Sequence, residues 1–227
     1  MGKSNPGPRF EVSIEVNDAI LKGIVNVPPC ARSIVLFAHG SGSGRLSPRN
    51  QFVAGVLNKA DIATVLLDLL EEHESNDRRL VFDIDFLTER LIRATEWVGT
   101  QRALESMAIG YFGASTGAAA ALQAAARLGS KIRAVVSRGG RPDLAMNFLP
   151  DVQCPTLLIV GGADEPVIPL NERAFERLTC EKELVIIPGA SHLFEEPGAL
   201  EQVAKYATNW FKRYLDRAAA RELEISP

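Results

Sequence analysis

Cysteine is scarce in this sequence: Cys30, Cys154 and Cys180 are the only three among 227 residues. An odd number, wide spacing and no C-x-x-C pair exclude a disulfide framework and a thiolate zinc site, and leave buried or incidental thiols. Long apolar runs are missing too. No stretch approaches the about 20 uninterrupted apolar residues of a membrane span, and the opening "MGKSNPGPRFEVSIEV" has no apolar core of signal-peptide length. No membrane partner is therefore expected, and the cytoplasm is the expected location. Positive charge is not in surplus either: 25 Lys and Arg stand against 28 Asp and Glu, for a net charge of -3. This removes the general basic field that holds nucleic acid. Internal repeats, low-complexity tracts and interdomain linkers are likewise absent.

What remains is the ordinary balance of a globular chain, with 46% hydrophobic and 23% charged residues. The length suits one domain over residues 1–227, whose first eight, rich in Gly and Pro, are expected to fray. Phe10, Val12, Ile14 and Val16 alternate with polar residues; Asn17-Asp18 offers a turn, and "AILKGIVNV" follows as the second arm of an antiparallel hairpin. The pattern then changes to short continuous apolar runs: "SIVLFA", "ATVLLD", "MAIGYF", "RAVV", "TLLIV" and "LVIIP". Such runs suit strands buried on both faces. Helical segments such as "PRNQFVAGVLNKA" and "DIDFLTERLIRATEWV" lie between most of them, so the expected fold is α/β, with a mostly parallel central sheet of about eight strands and helices on both faces. In the last helix, Val203, Tyr206, Ala207, Trp210, Phe211, Tyr214 and Leu215 share one apolar stripe, which is read as core packing. Fewer than about twenty residues separate Val136 from Thr156, too few for a separate cap domain, so an open cleft is expected.

The chemistry centres on Gly113-Ala114-Ser115-Thr116-Gly117. A helix cap would also use glycine and serine. A G-x-S-x-G turn between a buried strand and a helix does more: it forces the serine into a strained position with Oγ raised above the sheet edge, at the positive end of the helix. A serine hydroxyl is a weak nucleophile and needs a base, itself oriented by an acid; in this kind of fold both follow the serine, acid first. Of three histidines only His192 lies after Ser115, in the loop "PGASHLFEEPG". Asp164 follows the strand "TLLIVGGAD" at the same sheet edge and is the chosen acid, with Glu165 as the alternative. The loop "FAHGSGSGRLSPRN" has neither G-K-[ST] nor the G-x-G-x-x-G spacing, which excludes those phosphate cradles. It is read instead as the source of the second oxyanion-hole donor, the N–H of Ser41 alongside that of Thr116, while His39 packs or bonds locally. Arg45, Arg49, Arg138 and Arg141 are candidates to receive an anionic group of a substrate, Arg49 and Arg138 foremost, with surface or structural ion pairs as the plainer alternative. Asp68 is read as lining the cleft or as solvated.

Taken together, "HGSGSG", "GASTG", "GGADEPV" and "GASHLFEEPG" resemble the α/β-hydrolases, and in particular their small dienelactone-hydrolase-like branch, over nearly the whole chain. The resemblance implies Ser115, Asp164 and His192 as nucleophile, acid and base. Two departures concern the substrate: authentic dienelactone hydrolases use a cysteine nucleophile where this chain has Ser115, and carry an arginine soon after the histidine where it has Glu195 and Glu196. The expected function is hydrolysis of small esters, thioesters or lactones through an acyl-enzyme, without metal or cofactor. The alternatives are an acyltransferase or perhydrolase using the same triad, and a ligand-binding member of the fold without turnover.

Overall fold

The computed structural model describes residues 7–17 and 19–225, side chains beyond residue 216 excepted. Of the eight residues expected to fray, the first six lie outside the described residues, as does Asp18 of the expected turn; Pro8 accepts a hydrogen bond from the Val27 N–H at 3.2 Å. Among the described residues, eight strands form one sheet: β1 (Arg9–Val16), β2 (Ala19–Asn26), β3 (Ser33–Ala38), β4 (Ala63–Leu67), β5 (Ala108–Ala114), β6 (Ile132–Arg138), β7 (Thr156–Gly161) and β8 (Lys182–Ile187). Their order is β1-β2-β4-β3-β5-β6-β7-β8. The β1–β2 and β2–β4 pairs are antiparallel and every later pair is parallel. The expected hairpin and mostly parallel sheet are both present. Buried residues fill the whole of β3, β4 and β7, as their unalternated apolar runs require, whereas β1 and β8 at the sheet's edges keep exposed positions.

Helices cover both faces. Helix α1 (Pro48–Lys59) starts where Ser47 Oγ accepts from the Asn50 N–H and Pro48 takes the first position. A single turn, α2 (Arg78–Val81), precedes α3 (Ile84–Thr100), which Asp83 caps through the Phe86 N–H at 2.9 Å. Helix α4 (Thr116–Leu128) is fully buried from Ala118 to Ala125 apart from polar Gln123 at 2%, so its methyl-sized side chains bring it close to the sheet. Helix α5 (Ile168–Arg177) and the long α6 (Ala199–Ile225) complete the set. One core cluster joins the sheet to α3, α4 and Ala174 of α5; the other joins it to α1 and α6. The stripe on α6 packs into the second cluster as expected, with one correction. Tyr206 is 38% exposed, because it sits at the margin of the stripe, one helical step off the buried line through Val203, Ala207, Trp210 and Phe211. Residues 139–155, between β6 and β7, hold only two 3-10 turns, at Pro142–Ala145 and Leu149–Asp151.

Candidate active site

Strand β5 ends at Ala114 and α4 begins at Thr116, so Ser115 is the joint between them. Its backbone sits at φ 50°, ψ −123°, where a residue with a Cβ carries about 1–3 kcal/mol of strain. The surroundings hold it there. Its N–H donates to Arg138 O at 3.3 Å, and its carbonyl accepts from the N–H groups of Ala118 at 3.1 Å and Arg141 at 3.0 Å. Gly117 lies against the end of β3: a Cβ there would stand 2.2 Å from Ala38 O, so only glycine lets the helix begin this close to the sheet. The Ser115 hydroxyl makes no capping bond to α4.

His192 sits in the loop after β8, and its Nδ1 is 2.7 Å from Asp164 Oδ2 in the loop after β7. A carboxylate only accepts, so Nδ1 carries the proton and Nε2 is left as the basic nitrogen. Asp164 is 8% exposed, and its backbone is tied on both sides, N–H to Gly161 O at 3.0 Å and carbonyl to the Val167 N–H at 2.9 Å. Glu165 is exposed and makes no bond to His192 among the described residues. A Cβ on Gly139 would lie 3.1 Å from His192 O and 3.5 Å from its ring Cε1. Gly139 adjoins Arg138, whose carbonyl holds Ser115, so the imidazole is at the elbow. Phe194 anchors the loop, buried in the core at φ 56°. It was legible only as the one aromatic in a polar stretch.

The other side of the elbow is the loop after β3. Ser43 N–H donates to Gly40 O at 3.2 Å, and a Cβ on Gly40 would stand 2.7 Å from Ser115 Cβ, so this turn packs directly on the serine. Ser41 N–H has no acceptor among the described residues, and Thr116 N–H, at the first position of α4, is one of the donors a helix leaves without an internal partner. Both residues line the same cavity of about 300 Å³.

His39, as expected, bonds locally. Its Nε2 accepts from the Leu69 N–H at 2.9 Å, so the proton is on Nδ1, which donates to Gly40 O at 3.0 Å. Burial pushes its pKa below the ordinary histidine value, against the upward pull of the Gly40 carbonyl and Asp68. Asp68 is neither a cleft wall nor merely solvated. It accepts from the Arg45 N–H at 2.6 Å and pairs with the Arg45 guanidinium, because the loop folds back over the end of β4. His39 and Asp68 thus brace opposite ends of the loop, an arrangement sequence reasoning missed because it depends on β4 lying next to β3.

Of the four candidate arginines, Arg45 is taken up by Asp68 and Arg141 by Asp143, the plainer alternative; the other two differ. Arg49 donates to Glu195 Oε1 at 2.8 Å. Arg138 is 7% exposed, and its Nε and Nη1 have no acceptor among the described residues. Burial, and then the like charge of Arg49, pull its pKa down to about 10. Among the described residues, Glu71, His73 and Glu74 bring ligand atoms within 4.8 Å of one another, but both Glu74 oxygens are engaged by Arg90.

An antiparallel hairpin leading into a parallel sheet, with a strained serine at a strand-to-helix joint and a His–Asp pair on later loops, defines the α/β-hydrolase class. A family model described as PET hydrolase-like matches residues 70–222. The crystal structure of a dienelactone hydrolase from Anabaena variabilis is 54% identical, with a TM-score of 0.90, covering 93% of this chain and 100% of that one. The chain belongs to the dienelactone-hydrolase-like branch of the α/β-hydrolases. Est1E from Butyrivibrio proteoclasticus shares the fold, at 16% identity and a TM-score of 0.78 over 89% of this chain and 98% of its own. A putative phosphoribosyl transferase from Mycobacterium tuberculosis is 54% identical over 205 residues, which are 90% of this chain. The chain spans 46% of that relative's length. No described helix is long and apolar enough to cross a membrane.

Proposed function

We propose that this chain hydrolyses carboxylic ester, thioester or lactone bonds of small substrates through an acyl-enzyme on Ser115. The observation that carries the reading is the 2.7 Å His192–Asp164 bond beside a serine held at φ 50°. His192 Nε2 takes the proton from Ser115 Oγ as that oxygen attacks the carbonyl carbon. The N–H groups of Ser41 and Thr116 receive the oxyanion, and Asp164 holds the imidazole and stabilises its charged form. His192 then protonates the leaving group, and in the second half it activates the water that releases the acyl group. Every step is proton transfer or acyl transfer. Arg49 and Arg138 are the groups proposed to receive an anionic part of a substrate, a role supported by the unpartnered, buried nitrogens of Arg138. Acyl transfer to water, rather than the phosphoribosyl transfer named for the M. tuberculosis relative, is the chemistry these residues support.

The test is reaction with a fluorophosphonate, followed by intact-mass and peptide mapping. One adduct on Ser115 is expected in the wild type and none in Ser115→Ala. In His192→Ala, turnover of a p-nitrophenyl ester should fall by about 10⁴-fold or more. Folded wild-type protein that takes up no label would overturn the reading.

A further inference from the structure

The cavity that borders Ser41 and Thr116 has a back wall that belongs to neither loop of the candidate triad. Leu70 and Val81, from the segment between β4 and α3, and Leu87 of α3 supply it, while exposed Ser75 and Asn76 stand at its mouth. All three wall residues are buried and apolar. The segment is pinned from behind. Arg90 of α3 donates to Leu69 O at 2.9 Å and holds Glu74 through both oxygens, its guanidinium stacked 4.2 Å from the Phe86 ring centre. Both partners of this ion pair are largely buried, a setting in which removing either one is costly. The wall is therefore preformed.

Geometry decides which part of a substrate enters. When Ser115 Oγ has added to a carbonyl, the proposed oxyanion donors are the N–H groups of Ser41 and Thr116, two residues that line this cavity. The leaving group must be within reach of His192, the proton donor. No residue of the loops after β6, β7 or β8 lines the cavity, so the substituent directed into it is the one on the far side from His192, the acyl chain. At about 300 Å³ the space is at the small end of ligand pockets.

We infer that Leu70, Val81 and Leu87 form the acyl pocket of the enzyme and restrict it to esters of short, apolar acyl chains. This rests on the acyl-enzyme reading above. The experiment compares p-nitrophenyl acetate, hexanoate and decanoate on wild type, Val81→Ala and Val81→Phe, with labelling of Ser115 by diisopropyl fluorophosphate measured on the same preparations. Asn76→Trp, at an exposed position that folding tolerates, serves as a second variant that narrows the mouth. In the wild type, kcat/KM should fall about tenfold or more from hexanoate to decanoate, the size of effect that apolar pockets impose on surplus methylenes. Val81→Ala should raise decanoate relative to acetate by about tenfold, and Val81→Phe and Asn76→Trp should lower hexanoate relative to acetate by about the same factor. Chain-length profiles that superimpose on the wild type in all three variants, with Ser115 still labelled, would overturn the pocket and leave the hydrolase reading intact. A wild type that neither labels nor hydrolyses any ester would overturn both.

Discussion

Ser115 combines two requirements that conflict. Its side chain is the nucleophile of the proposed chemistry, but its backbone, at φ 50°, suits a residue with no side chain. The conflict is a measurable reservoir of strain. Ser115→Gly is expected to raise stability by about 1 kcal/mol in urea denaturation, while abolishing turnover. Ser115→Ala, which keeps the Cβ, should abolish turnover without that gain. Equal stability of the two variants would mean that the elbow stores no strain. Arg138 presents the same trade-off in charge: a buried guanidinium with two nitrogens that have no acceptor among the described residues costs folding energy that a ligand or water recovers.

The elements carry these residues with little slack. Strand β5 delivers Ser115, and α6 backs β5: a Cβ on Gly110 would stand 3.0 Å from Phe211 Cε1, so the ring lies flush on the strand. Phe211 is fully buried, and Phe211→Ala is expected to cost about 3–5 kcal/mol of unfolding free energy. The check is chemical denaturation; a cost well under 1 kcal/mol would show that α6 does not carry the sheet. The loops after β3 and β8 are held differently, by polar braces and one aromatic anchor. His39 and Asp68 fix the first, and Phe194 the second.

The behaviour of the whole molecule with pH follows from His39. Its pKa is lowered in the folded state, chiefly by burial, while in the unfolded chain it returns to about 6.5. Below that pH the unfolded state binds a proton the folded state refuses, so stability falls as pH drops through about 6.5 and is fully present above it. Protonation would also put an N–H at Nε2 against the Leu69 N–H. Wild-type unfolding free energy is therefore expected to decline from about pH 7.5 to about pH 5. His39→Gln, with no charge to gain, should show a flatter profile over that window. Parallel profiles would remove His39 as the cause.

Much of this was written locally in the chain. Apolar runs four to six residues long located β3 to β8 closely; burial on both faces, which leaves no room for polar alternation, explains β3 to β7, while the run in β8 lies at the sheet edge with only Ile187 buried, against the expectation. The elbow was legible because G-x-S-x-G states its geometric need in adjacent residues: a helix cannot start 2.2 Å from a carbonyl unless Gly117 has no side chain. His192 was legible by scarcity, being the only histidine after Ser115. The choice of Asp164 over Glu165 was a position along the chain, and only the folded loop shows one carboxylate against the imidazole and its neighbour in solvent. The sequence could not order the strands. Placing β4 beside β3 is a decision of the whole sheet, and it alone brings Asp68 to Arg45, Leu69 to His39, and the wall of Leu70, Val81 and Leu87 to the cavity beside Ser41. Sequence alone determined the elements and named the candidate reactive groups, since propensity and burial act over a few residues. Tertiary structure decided braces, pocket and buried charge, since these contacts join segments that approach only after the sheet has assembled.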